Sequence, residues 1–454
     1  MALSTQPYKG ARDFYPEDKR IQKFMFTHMR EVAERFGYEE YDAPILEPLE
    51  LYLAKTSQEI VDEQTYAFTD RGGRGVVLRP EMTPTVSRMV AARRQELPYP
   101  MRLYSIPNLW RYERPQKGRL REHWQLNVDI FGVEGIEAEH EVISVADNIL
   151  RSFGARRDMY TIQLNSRKLT EQLFGGYLGL DTTQYSMLVR LIDRMNKMDY
   201  AEFVTQADAI LTPTQREQGV LNTLQHLLKV KRPEDLPDGL NAHASVLELR
   251  RLIQLLAESR ITNVHFDITL MRGFDYYTDI VFEVFDTDPD NNRSMFGGGR
   301  YDGLVGLFGV EPVPTVGVAA GDVTLQNFLE SHELLPNLHP ETDAYVILVG
   351  DNMYEKAQRA LTDLRKMGVN LAIDLGDRKL DKQIRTAAKK GLHYVIFIGD
   401  AELSSEQFKL RNLADGTEEM HGLQRIVSIV RDRRHADQIP TEEDSEDDGD
   451  LLEL

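Results

Sequence analysis

Cysteine is absent from the 454-residue chain. That excludes disulfides, thiol nucleophiles and cysteine-based zinc sites, and it fits an expected cytoplasmic location. Also missing is any apolar run long enough to span a bilayer, and the opening residues MALSTQPYKGARDFYP hold no signal-peptide core, so no membrane association is expected. Positive charge is scarce. The formal net charge is −19, and Thr441 to Leu454 contributes eight Asp or Glu and no Lys or Arg; without those eight charges the balance is still −11. This excludes a nonspecific polyanion binder, so any nucleic-acid contact must come from restricted basic patches, with shape and base contacts giving selectivity. What is present, 41% hydrophobic and 28% charged residues, suits a soluble globular protein of two or three domains.

The chain is organised around Arg111 to Gly132, RYERPQKGRLREHWQLNVDIFG. A short run ends at Trp110-Arg111, a polar loop passes through Pro115, Gln116, Lys117 and Gly118, and a second run carries Trp124, Leu126, Val128 and Ile130. This is the pattern of an antiparallel hairpin with a long loop. Strand alternation puts Gln125, Asn127 and Asp129 on a polar face and the apolar residues on a core face. Arg114, Lys117, Arg119 and Arg121 crowd the loop. Such a density of cations repels itself unless phosphate or carboxylate lies nearby, although a solvated hairpin tip is the bland alternative.

Upstream, Pro16 opens a helix with Ile21, Phe24, Met25 and Val32 at helical spacing, ended by Gly37. Tyr38 to Leu46 reads as extended, and Pro44 makes it an edge or interface strand. Tyr66–Thr69 and Val76–Leu78 flank a turn and form a hairpin that runs into Arg79-Pro80-Glu81-Met82-Thr83. Glu81 and Thr83 can reach over the sheet edge there, or Thr83 caps the helix Pro84 to Arg94. Ala138 to Phe153 reads as a helix and Tyr160 to Leu164 as a strand. From about Arg167 to Arg260 the apolar spacing is helical throughout, an insertion into the sheet domain. Val264, Phe266 and Ile268 alternate into a strand reaching Met271-Arg272-Gly273-Phe274-Asp275-Tyr276-Tyr277. A strand at Ile280 to Phe285 and a Gly-rich turn at Phe296 to Gly303 follow. Gly317 and Gly321 precede a helix into Leu329. After a linker at Ser331 to Pro340, runs at Ala344–Val349, Val369–Ile373 and Tyr394–Ile398 alternate with helices, a βαβα order that implies a small sheet with parallel strands. Lys382, Arg385 and Lys389 share one helical face, which solvation alone explains equally well.

Arg111 to Gly132 resembles motif 2 of the class II aminoacyl-tRNA synthetases, and in detail that of the histidyl-tRNA synthetase family. Residues 16–46 are similar to class II motif 1, which in that family forms the dimer interface. Met271–Tyr277 together with Phe296–Gly303 resembles the paired histidine signatures of the histidyl enzymes. Val316–Val323 stands where motif 3 is expected, but the usual Glu-Arg ending is Asp322-Val323, so the arginine is missing. The resemblance implies an α+β class II synthetase core, an antiparallel sheet flanked by helices, over 1–166 and 261–330. It also implies a helical insertion at 167–260 that approaches the tRNA acceptor arm, a linker at 331–340, an α/β anticodon-binding domain at 341–435, and a homodimer. The remaining acidic tail, 436–454, is expected to be disordered.

By the same resemblance the chain uses ATP, with Mg²⁺ held mainly by phosphate and water, to activate L-histidine and load it onto the 3′ end of tRNA(His). Arg111 and Arg272 are implied to grip the carboxylate and the α-phosphate. Glu81, Thr83 and Gln125 would hold the α-ammonium, Asp129 and Tyr277 the two ring nitrogens, and Tyr276 and Tyr301 would line the pocket. Glu113, Arg119 and Arg121 join the two arginines at ATP. Gln116 is the implied contact to an extra 5′ guanosine, and Lys382 and Arg385 to the anticodon. Asp129 stands where many relatives carry Glu. Losing the motif 3 arginine costs about 1.5 to 3 kcal/mol of ATP binding, a deficit expected to be covered by Arg119 or Arg121. Two other readings are a histidine-sensing regulatory paralogue of ATP phosphoribosyltransferase and a tRNA-binding pseudo-synthetase. The former would lose both Arg272 and the C-terminal domain, which this chain keeps; the latter would bind without pyrophosphate exchange.

Overall fold

The computed structural model describes residues 3–53, 64–271, 277–291, 293–376 and 378–436. Arg272, Tyr276 and almost all of the acidic tail lie outside them. The chain forms two compact units, residues 1–13 with 22–335, and residues 14–21 with 336–454. The break after Leu335 falls inside the expected linker.

The first unit is built on a nine-stranded sheet. Its strands are β1 (Glu39–Glu40), β5 (Met101–Ser105), β6 (Asn108–Trp110), β7 (Glu122–Phe131), β8 (Tyr160–Ser166), β9 (Val264–Phe266), β10 (Ile280–Asp286), β11 (Ser294–Arg300) and β12 (Thr315–Gly321). The order is β1-β5-β7-β12-β11-β10-β8-β9, with β6 on the first part of β7. All pairings are antiparallel except the outermost, β1 on β5 and β8 on β9. A separate three-stranded sheet joins β2 (Leu46–Pro48), β3 (Tyr66–Thr69) and β4 (Gly75–Leu78).

The expected hairpin is β6 and β7, with Trp110 opposite Glu122. Leu126, Val128 and Ile130 are buried behind β7. The helix Glu137–Ser152 packs there with Val142, Ile143, Val145, Ala146, Ile149 and Leu150 all buried. In the helix Pro16–Arg35, Met25, Met29, Val32 and Ala33 recur at i, i+4, i+7 and i+8 and are buried, as an amphipathic stripe requires. Residues 167–260 are helical apart from turns and belong to the same compact unit as the sheet.

Two local expectations change. Tyr38 to Leu46 is two short strands in different sheets rather than one segment, with Pro44 between them. Gly297, Gly298 and Gly299 lie within β11 rather than in a turn, and Gly303 alone of the Phe296–Gly303 glycines sits in one. A Cβ on Gly298 would stand 2.3 Å from the Gly317 carbonyl oxygen and 2.7 Å from Phe282 Cζ, and one on Gly299 would stand 2.6 Å from the Ile280 oxygen. These glycines are demanded by close strand and side-chain approach.

The second unit has a five-stranded sheet in the order β14 (Leu371–Ile373), β13 (Ala344–Val349), β15 (Tyr394–Gly399), β16 (Phe408–Asn412), β17 (Glu418–His421). Its first three strands are parallel, as the βαβα reading requires, and the last two add an antiparallel edge that the sequence did not announce. Among the described residues no helix is long and apolar enough to cross a membrane.

Candidate active site

Cross-strand register builds the floor of the site. Asp129 of β7 sits opposite Gly317 of β12, Gly317 opposite Gly299 of β11, and Gly299 opposite Val281 of β10. Two residues along, the row is Asn127, Ala319, Gly297 and Glu283. Successive rows two residues apart share one face of the sheet. Polar groups therefore flank a strip of glycine and alanine, and over that strip opens a cavity of about 1460 Å³. Glu81, Thr83, Arg111, Glu113, Arg119, Gln125, Asp129, Tyr277 and Tyr301, all expected in the site, line it. Thr83 is the first residue of its helix, whose N-cap is Met82, so it caps nothing.

Asp129 is the anionic centre of the floor. Its Oδ1 accepts a short hydrogen bond from the Tyr301 hydroxyl, and it leans so far over β12 that a Cβ on Gly317 would stand 2.1 Å from it. Its Oδ2 is buried and has no hydrogen-bond partner among the described residues. Burial pushes the carboxyl up to about 7, opposed by the Tyr301 hydrogen bond. Tyr277 leans over the glycine strip, its Cδ1 3.1 Å from where a Cβ on Gly299 would be. One free acceptor beside phenol groups suits a ligand that brings an N–H.

The cationic wall is set by the hairpin. Arg111 Nε donates to the Pro80 carbonyl at 2.8 Å, which aims the rest of the guanidinium away from the backbone beside Glu81. Both of its terminal nitrogens are without a described partner, a fork open to two oxyanion oxygens. Arg119 Nε lies 2.7 Å from Oε2 of buried Glu113. The loop closes as a tight turn, with reciprocal backbone hydrogen bonds between Gln116 and Arg119 and Gly118 at φ +75°. Gln116 is exposed at its tip and does not line the cavity. Arg121 is absent from the wall too. Its guanidinium stacks 4.1 Å from the Tyr112 ring centre and donates to the Tyr8 hydroxyl at 3.1 Å, so the aromatic residues hold it elsewhere.

Asn127, Glu283, His123 and Arg293 are among the wall residues not anticipated as site residues. Asn127 belongs to the polar face already read from alternation, and Glu283 interrupts an apolar strand, so both had a signal. His123 had none. It is pushed down to about 3 by burial and by Arg111, Arg12 and Arg119, and is a neutral imidazole whose Nδ1 has no described partner. Arg293 lies in the turn before β11 and carries no sequence pattern. At the missing motif 3 arginine, Val323 and Thr324 both line the cavity and neither is cationic, while Asp322 is held by Arg12 at 2.6 Å. Among the described residues no group of three His, Asp or Glu could hold a metal.

In the second unit, Lys382 and Arg385 are exposed on the helix Leu380–Lys389, whose buried side is Gln383 and Ala387.

A family model described as histidyl-tRNA synthetase matches residues 10–323, and one described as an anticodon-binding domain matches 343–433. Histidine–tRNA ligase of Leptospira biflexa is 42% identical over 417 residues, 91% of this chain and 94% of that protein. The enzyme of that name from Thermoplasma volcanium is 36% identical over 94% of this chain and 99% of its own length. The crystal structure of histidyl-tRNA synthetase from Nostoc sp. PCC 7120 superposes with a TM-score of 0.77 at 22% identity, covering 95% of this chain and all of that one, a likeness of fold. With the hairpin, the glycine strip and both domain matches in place, the chain belongs to the histidyl-tRNA synthetase family.

Proposed function

We propose that this chain activates L-histidine with ATP and transfers it to tRNA(His), the activity named for its relatives from Leptospira biflexa and Thermoplasma volcanium. The observation that carries the reading is one cavity with opposite charges on its two sides. Arg111 presents an open fork at one strand of the hairpin, and Asp129 presents an unpartnered oxygen on the other.

The histidine carboxylate attacks the α-phosphorus of ATP and pyrophosphate leaves. The terminal ribose hydroxyl of the tRNA then attacks the carbonyl of histidyl-adenylate and AMP leaves. Carboxylate and phosphate repel each other, so the first step needs cations at the α-phosphate that also stabilise the pentavalent transition state. Arg111 bridges the two anions, with Arg272 assigned to the opposite side. Asp129 Oδ2 accepts from a ring N–H of histidine, Tyr277 serves the other nitrogen, and Glu81, Thr83 and Gln125 take the α-ammonium. Tyr276 borders the ring. An amino acid without a ring N–H leaves the buried Oδ2 unpaired, a loss of roughly 1 to 3 kcal/mol.

Mg²⁺ would be held mainly by phosphate oxygens and water, with Glu113 and Glu283 among the carboxylates that line the cavity. Glu113 Oε2 is buried and ion-paired with Arg119 Nε at 2.7 Å. When bound, the ion offsets phosphate charge. Gln116, exposed at the loop tip, is assigned to the 5′ end of the tRNA, and the protein is assigned as a cytoplasmic homodimer. The regulatory-subunit alternative is disfavoured by the match of an anticodon-binding domain to 343–433. Histidine-dependent exchange of pyrophosphate into ATP tests the reading. Exchange with histidine and none with other amino acids is expected; purified protein that binds histidine without exchanging would refute it.

A further inference from the structure

We propose that Arg293 holds the terminal phosphates of ATP, supplying from the turn before β11 the charge that the first turn of the helix Asp322–Ser331 does not carry. The inference rests on the assignment of the α-phosphate to Arg111 and extends it to the rest of the triphosphate.

Four half-buried arginines line the cavity among the described residues: Arg111, Arg119, Arg167 and Arg293. Arg119 is paired with Glu113 at 2.7 Å, and Arg167 with Glu171 at 3.1 Å. Among the described residues neither Arg111 nor Arg293 has a carboxylate partner. A guanidinium that gives up part of its hydration without a protein anion is compensated when a ligand brings one. Arg111 meets the α-phosphate, which leaves Arg293 for the anion beyond it. Arg190, Arg194 and Lys197 also face the cavity but are exposed, and the first two form a surface contact in which Arg194 donates to the Arg190 carbonyl.

Position supports the same assignment. A Cβ on Gly118 would lie 3.0 Å from Arg293 Cδ and 3.5 Å from Thr324 Cγ2. The Arg293 stem therefore runs beside the tip of the hairpin loop and the first turn of the helix, both of which line the same cavity as Arg111. The other groups at that turn are spent or unsuitable. Val323 has no donor, Thr324 Oγ1 donates to the Met295 and Gly321 carbonyls, and Asp322 is anionic and bound by Arg12.

The test uses the full-length protein and the variants R293A, R293K and R111A, with KM for ATP, pyrophosphate and histidine from the exchange reaction and inhibition by AMP. R293A should raise KM for ATP and pyrophosphate about ten- to a hundredfold, the effect of losing one charge-assisted contact. Histidine KM and AMP inhibition should stay within about twofold, because neither ligand reaches beyond the α-phosphate. R293K should recover part of the loss by restoring charge without the fork. Unchanged ATP and pyrophosphate KM in R293A overturns the proposal, as does an equal weakening of ATP and AMP. An R111A variant with unaltered exchange would refute the α-phosphate assignment instead, so the two failures are told apart.

Discussion

Asp129 must be ionised to take a proton donor from histidine, yet its buried site favours the neutral acid. Its ordinary value is 3.8 and the folded value is about 7. Because the folded value is raised, the stability due to the protonated carboxyl is complete below 3.8 and is lost as pH climbs through about 7. Asn at this position does not titrate. Ligand-free D129N should therefore gain on the wild type between those limits, by an amount levelling off on the order of 4 kcal/mol, while histidine-dependent exchange collapses. Thermal melts across that range read the gain, and a constant difference at all pH values would contradict it. Tyr301 supplies the hydrogen bond that lowers the Asp129 value, so Y301F should move the acid limb of kcat/KM for histidine to higher pH. A limb that stays in place or moves to lower pH would remove Tyr301 from this role. Asp129 and Gln125 were legible from alternation within one strand. The Asp129–Tyr301 pair was not, since it joins residues 172 positions apart and depends on the register of three strands.

Strands β7, β12 and β11 act as one device, in which β12 and β11 are kept thin so that neighbouring side chains can fold over them. Gly317 gives Asp129 the space it occupies, and Gly299 does the same for Tyr277. G317A should push the Asp129 carboxylate off the floor and raise KM for histidine about tenfold or more, with KM for ATP changed far less. Equal changes in both constants would mean that the sheet itself had been distorted. Here sequence reading had its clearest miss. A run of three glycines is a turn signal wherever backbone freedom is wanted, but in β11 the extended backbone is ordinary and the missing Cβ atoms are what matters. Local pattern cannot separate those two uses of glycine, because the neighbours that exclude a side chain come from other strands. The hairpin of β6 and β7 was legible because apolar and polar residues alternate over its whole second strand.

At the scale of the molecule, the order of elements was readable because each unit repeats a simple local code: alternation in the first sheet, helical spacing in residues 167–260, and strand–helix alternation in the second unit. Strand β17 escaped because Glu418–His421 carries almost no apolar pattern at the exposed edge of the sheet, whereas β16 does alternate, with Phe408 and Leu410 buried, but over too short a run to stand out. That same second unit carries Lys382 and Arg385 on the exposed side of one helix, and there the choice between a solvated face and an RNA contact is settled by function. Amino-acid activation involves only histidine and ATP, so it should be indifferent to these two lysine and arginine charges. Reversing both, K382E with R385E, should leave histidine-dependent pyrophosphate exchange unchanged and raise KM for tRNA(His) in aminoacylation about tenfold or more at low salt, with the defect shrinking as salt is increased, because salt screens the same contacts in the unaltered protein. Aminoacylation kinetics identical to those of the unaltered protein would return both residues to the solvated surface.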